Sequence, residues 1–288
     1  MLRIGMIGSE NSHSKAVSKL INVEKAIKGV KVVSVWGETG AFAKETAEAG
    51  QIPKIVKRPT DMIGEVDGVM IDHRHGKYHL PVATEFVKAG IPVFVDKPLC
   101  CSLAEGKKYL KLAKQKGVPT TSFSSIPTQK AFRKFQEQVA ALEQVVGGGS
   151  AGPCDLKSKY GGVFFYGIHQ IDALIELFGT DVTHVELNKN RAQGLGILYY
   201  KDGKIVTMHC LKGGAHTFQF MAHGKSIVHF VLTKRDKNPY LTSTKMWLDM
   251  MRTGKEPIEH RRMLAPVAVL EALQKALDTG KKVSVAKF

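Results

Sequence analysis

The first 120 residues alternate short apolar runs with amphipathic ones, and no other feature constrains the fold as much. Strands are expected at Leu2–Ile7, Val30–Trp36, Gly68–Asp72, Pro92–Val95 and Val118–Ser122. Helical stretches fall between them at Lys15–Ile27, Tyr78–Ala89 and Leu103–Lys116. In the last of these, Leu103, Tyr109, Leu110, Leu112 and Ala113 make an apolar face at helical spacing. Ser102, with Glu105 three residues on, spells a capping box ahead of it. Strands and helices in strict alternation predict a parallel sheet covered by helices on both faces. Right-handed crossovers then put ligands at the carboxyl ends of the strands.

The rest of the chain has a different grammar. A helix is expected over Gln129–Val145, ending in Gly147-Gly148-Gly149 as a flexible loop, and a second over Ile168–Phe178, stopped by Gly179. Strands follow at Val182–Asn188, Gly196–Tyr200, Ile205–Leu211, His216–Ala222 and Ser226–Leu232. Asp202-Gly203 and His223-Gly224 read as hairpin turns. Hairpins without helices between them predict a mostly antiparallel open sheet. The last helices are expected near Leu241–Arg252 and Leu264–Leu277. The reading is therefore an α/β domain over 1–120 and an α+β domain over 121–288, with the final helix free to pack back on the first.

Composition removes several function classes. The chain has 288 residues, 43% of them hydrophobic and 24% charged, which suits a globular protein. No apolar run approaches the ~20 residues needed to span a bilayer, and MLRIGMIG has none of the parts of a signal peptide. A cytoplasmic protein without a membrane partner is expected. Cys100, Cys101, Cys154 and Cys210 offer neither a disulfide framework nor zinc spacing, so no metal is expected. The net charge of +16 comes from lysines spread through helical segments (Lys15, Lys19, Lys25 and Lys28; Lys107, Lys108, Lys111 and Lys114). Nucleic-acid footprints cluster on one face and interleave with aromatics. A solvated basic surface that draws anionic ligands is the better reading.

The first strand runs into Gly5-Met6-Ile7-Gly8-Ser9-Glu10-Asn11-Ser12-His13. A glycine turn between strand and helix lets helix amides receive a pyrophosphate. Aligned on Gly8, the GxGxxG pattern keeps its first glycine only, with Glu10 and His13 at the other two positions. Ser9, Asn11, Ser12 and Ser14 suit either phosphate contacts or plain helix capping. After the second strand, Glu38 stands about where a ribose 2′-hydroxyl is gripped, or serves as a surface turn residue. No arginine follows closely, which favours NAD over NADP.

The segment Val93-Phe94-Val95-Asp96-Lys97-Pro98 places a lysine at the exit of a buried strand, pinned by proline. With the Asp67–Asp72 strand and His79, it resembles the glucose–fructose oxidoreductase/inositol dehydrogenase/MocA family. That family carries Glu-Lys-Pro here, and further on a Gly-Gly stretch before a helix with Asp-x-x-x-His. Gly161-Gly162-Val163-Phe164-Phe165-Tyr166-Gly167-Ile168-His169-Gln170-Ile171-Asp172 matches the second motif, and Arg252-Thr253-Gly254-Lys255-Glu256-Pro257 the family's closing segment.

The resemblance implies a Rossmann-type dinucleotide-binding domain over 1–120 and a substrate-binding and oligomerisation domain over 121–288. It implies that Lys97 binds or deprotonates a reacting hydroxyl, and that His169 is a general acid/base. Gly8, Ser9, Asn11, Ser12, Glu38, His79, Asp96 and Pro98 would line the cofactor, with Tyr166 and Asp172 towards substrate. Hydride would pass between nicotinamide and a carbon of a sugar, cyclitol or related polar molecule. A homodimer or homotetramer through the second sheet is expected. Three departures stand out: Phe165 occupies the motif's aspartate position, Asp96 replaces glutamate, and the second domain is short. The missing aspartate and the damaged glycine turn keep a non-catalytic NAD- or sugar-sensing protein as the alternative, with an oligomeric scaffold as a third reading. Tyr160 and Tyr166 are further phenolic proton donors.

Overall fold

The computed structural model describes residues 1–225, 228–232 and 236–288. In chain order the strands are β1 Leu2–Ile7, β2 Val30–Trp36, β3 Lys54–Ile55, β4 Gly68–Ile71, β5 Val93–Val95, β6 Thr120–Thr121, β7 Gly147–Pro153, β8 Val182–Asn190, β9 Gln193–Tyr200, β10 Ile205–Leu211, β11 Gln219–His223, β12 Val228–Leu232 and β13 Val283–Ser284. The helices are α1 Ser12–Ser18, α2 Gly40–Gly50, α3 His79–Lys88, α4 Leu103–Lys116, α5 Lys130–Ala140, α6 Phe164–Phe178, α7 Leu241–Thr253 and α8 His260–Thr279. Among the described residues no helix is long and apolar enough to cross a membrane.

Contacts divide the chain into two compact units. The first comprises Met1–Cys100, Ala104–Phe123 and Tyr240–Met263. Its six strands run β3-β2-β1-β4-β5-β6, all parallel. β1 lies at the centre and buries Ile4, Met6 and Ile7 completely, as a strand covered on both faces must. The segment that returns from the far end of the chain is α7, whereas the final helix from Leu264 onward belongs to the second unit. The α7 residue Trp247 stacks on Phe94 of β5 with ring centroids 5.4 Å apart. Met251 lies so close over Gly68 that a Cβ there would sit 2.4 Å from its sulfur.

The second unit comprises Cys101–Leu103, Ser124–Pro239 and Leu264–Phe288. Its sheet runs β12-β11-β7-β10-β9-β8-β13 and is antiparallel except for the β7–β10 pair. The Gly147-Gly148-Gly149 segment, expected as a flexible loop, is instead the start of β7 in mid-sheet, paired to β10 and β11. A Cβ on Gly148 would lie 2.3 Å from Phe178 of α6 and 2.5 Å from the Met221 carbonyl oxygen. These glycines admit close neighbours in a strand. The expected strand at Ser226–Leu232 is β12 from Val228, while Ser226 and Ile227 lie outside the described residues. α6 buries Ile168, Ile171, Leu174 and Ile175. Ile205 and Leu211 of β10 remain 49% and 37% exposed.

Candidate active site

Parallel pairing carries β1, β4 and β5 to the same level at their carboxyl ends. The Asp72 amide donates to Ile7 O, and the Asp96 amide donates to Ile71 O, so both aspartates continue the ladder past the strands. Gly8 follows β1 with φ of 98°, and a Cβ on it would lie 2.6 Å from the Asp72 carbonyl carbon and the His73 nitrogen. Only glycine fits this crossing. The amides of Ser9 and Glu10 donate to Glu38 Oε2 at 2.8 and 2.9 Å. Glu38 Oε1 is buried and has no hydrogen-bond partner among the described residues. Ser12 opens α1 and is exposed.

The Asn11 side chain caps no helix amide. Its Nδ2 instead donates to Asp72 Oδ1 at 2.8 Å and to Asp96 Oδ2 at 3.1 Å. Asp72 Oδ2 accepts the Ser14 amide and so caps α1 from outside the helix. His13, at the lost third glycine position, brings Nδ1 within 3.2 and 3.1 Å of the two Asp96 oxygens. Lys97 is only 7% exposed, with Nζ 3.6 Å from Asp96 Oδ2. Burial pushes the Asp96 carboxyl up, but the charges of His13 and Lys97 outweigh it and hold its pKa below the usual carboxylate range. Burial, followed by the Asp96 charge, raises Asp72 well above that range. The pair therefore keeps its negative charge on Asp96, between two basic side chains. Donor atoms of His13, Asp72 and Asp96 come within 4.8 Å of one another. Asn11, Ser14 and Lys97 already engage those oxygens, so protein groups balance the cluster's charge.

His79 is wholly buried, with Nδ1 2.8 Å from Pro98 O and Nε2 2.7 Å from His73 O. It ties together the segments that follow β4 and β5, with both ring nitrogens turned to backbone carbonyls. His73 escaped the sequence reading. Its ring lies beside Trp36, Tyr78 and His79, and its buried Nδ1 has no partner among the described residues. Burial lowers its pKa to about 3, which keeps the ring neutral.

In the second unit α6 carries His169, 7% exposed, with Nδ1 2.8 Å from Ser124 Oγ. Phe165, at the motif's aspartate position, packs against Tyr160 and Tyr166 with centroids 4.9 and 4.8 Å apart. Tyr166 lies 5.8 Å from both the His169 and His216 rings. Asp172 is no helix-surface residue: it is 3% exposed and accepts the Ser124 amide at 2.9 Å. Ser124 carried no motif in the sequence, and its part emerges only where the segment after β6 meets α6.

The residues of the first unit fit a dinucleotide. Glu38 Oε1 is a buried acceptor with no partner among the described residues, which suits a hydroxyl donor, and Gly8 admits close backbone approach where a Cβ would collide. Comparison with known proteins agrees. Residues 2–123 match the GFO_IDH_MocA family model, described as an oxidoreductase family with an NAD-binding Rossmann fold. The inositol 2-dehydrogenase 1 of Saccharopolyspora erythraea is 22% identical over 233 residues, covering 74% of this chain and 65% of that protein. The Escherichia coli oxidoreductase YhhX, itself uncharacterized, is 26% identical over 52% of this chain and 49% of its own length. The chain thus spans under two thirds of either relative. Scyllo-inositol dehydrogenase from Lactobacillus casei, solved with NAD(H) and scyllo-inositol, superposes with a TM-score of 0.86 at 15% identity over 100% of both chains. That likeness is one of fold.

Proposed function

We propose that this chain, whose residues 2–123 match the GFO_IDH_MocA oxidoreductase family model, is an NAD-dependent dehydrogenase acting on a hydroxyl of a cyclitol, sugar or related polyol. The observation that carries the reading is the meeting, at one end of the parallel sheet, of the Gly8–Glu38 cradle with Lys97. NAD, when bound, supplies the hydride acceptor. Glu38 holds the dinucleotide through a ribose hydroxyl, and its negative charge disfavours a 2′-phosphate, hence NAD over NADP. Gly8, Ser9 and Ser12 line the phosphates, while Asn11, Asp96 and Pro98 shape the wall behind them. Lys97 binds or deprotonates the reacting hydroxyl, oriented by the ionised Asp96. Within the second unit His169 is assigned the general acid/base role, with Tyr166 beside it and Asp172 supporting through Ser124.

The polyol class rests on the inositol dehydrogenases among the relatives. A homodimer or homotetramer is proposed through the open face of the second sheet, where Ile205 and Leu211 are exposed. A cytoplasmic setting agrees with four free cysteines. The test is NADH formation across a panel of inositols, polyols and acidic sugars. Turnover with at least one, lowered roughly 10²- to 10⁴-fold in Lys97→Ala with NADH affinity retained, is the expected outcome. NADH binding without turnover on any panel member would point to a sensor.

A further inference from the structure

The departure at Phe165 removes the carboxylate expected beside His169, and the structure shows what stands in for it. Ser124 is completely buried. Its Oγ accepts the Ile126 amide at 3.1 Å and lies 2.8 Å from His169 Nδ1. A serine hydroxyl has one proton to give and two lone pairs to receive with. The Ile126 N–H takes one lone pair. If His169 Nδ1–H donated as well, the hydroxyl proton would be left buried without an acceptor among the described residues, an arrangement native interiors avoid. The arrangement that satisfies every group has Oγ donating its hydrogen bond to Nδ1, which is then unprotonated. We propose that Ser124 is the positioning residue for His169 and holds its neutral ring with the proton on Nε2.

The consequence is a change of role. A carboxylate partner accepts a hydrogen bond from Nδ1–H and leaves Nε2 as a base. A hydroxyl partner bonded as here does the reverse, so Nε2 is a hydrogen-bond donor. Asp172 fixes the arrangement indirectly, because it accepts the Ser124 amide and so holds the serine in place. Phe218, 5.3 Å from the His169 ring, and Tyr166 wall the ring on other sides. Resting on the dehydrogenase reading, His169 then polarises a substrate oxygen by donation, and the hydroxyl proton of an alcohol substrate is taken by another group.

The experiment is long-range ¹H–¹⁵N NMR on histidine-labelled protein above the pH at which the His169 ring is neutral. The His169 resonance is assigned by its loss in His169→Gln. Wild type is expected to show the Nε2–H tautomer, Ser124→Ala a tautomer mixture, and Ser124→Thr, which keeps the hydroxyl, the wild-type pattern. An Nδ1–H tautomer in wild type, or the same tautomer in Ser124→Ala, overturns the proposal. Saturable NADH binding by Ser124→Ala, equal to wild type, shows that the variant is folded. Where turnover is found, Ser124→Ala lowers kcat roughly 10- to 100-fold with the KM for NAD unchanged. The tautomer is read whether or not any substrate turns over, so failure of this proposal is distinguishable from failure of the dehydrogenase reading.

Discussion

His73 and His79 are imidazoles that folding withdraws from water without a carboxylate partner of their own. Burial is the leading cause in both, lowering His73 to about 3 and His79 in the same direction. The unfolded chain has ordinary histidines near 6.5. At residue 73 the unfolded chain binds, between those values, a proton that the folded chain refuses, so this contribution to stability is complete above about pH 6.5 and is lost as pH falls towards about 3. Each pH unit crossed costs about 1.4 kcal/mol at most for His73. Urea unfolding at about pH 7 and about pH 5 should show this slope in wild type and a shallower one in His73→Asn. Equal slopes would show that His73 titrates normally in the folded state. Asp96 acts in the same direction but at lower pH, since its depressed pKa stabilises the fold until its carboxylate is protonated. Positions at strand exits were legible one by one: Gly8, Glu38 and Lys97 stand where element boundaries put them. His13, His73 and Ser124 were not, because what each does is set by partners 83, 6 and 45 residues away in the chain.

Among elements, β7 shows how composition misleads. Three consecutive glycines have the signature of a flexible loop, and local propensity alone gives no reason to place them in a strand. The reason is tertiary: α6 brings Phe178 against Gly148 while β11 brings the Met221 carbonyl to the same point. Gly148→Ala should therefore cost about 1–3 kcal/mol in unfolding free energy by overpacking. Gly40→Ala, where an added methyl meets nothing within 4 Å, should be close to neutral. Similar values for both would contradict the packing account of β7. In the first unit β1, β2, β4 and β5 were legible from their apolar runs, whereas β6 is two residues of the five expected and α2 was not among the expected helices. β3, two exposed residues, was not legible, since so short a run has no period to read. The parallel β7–β10 pair was also hidden, because it joins segments with α6, β8 and β9 between them.

For the whole molecule, the exposed face of the second sheet and the net charge of +16 pull association in opposite directions. Apolar area on Ile205 and Leu211 favours self-pairing, and charge repulsion opposes it until salt screens it. Sedimentation at about micromolar concentration and physiological salt should show a dimer or tetramer. A monomer there would remove the proposed sheet-to-sheet assembly and leave the dehydrogenase reading untouched. That reading stands on the dinucleotide cradle, so titration of the protein with NADH, followed by fluorescence, tests it most directly. Saturable binding is predicted, tighter for NADH than for NADPH and weakened in Glu38→Ala. No saturable binding of either nucleotide would contradict the account.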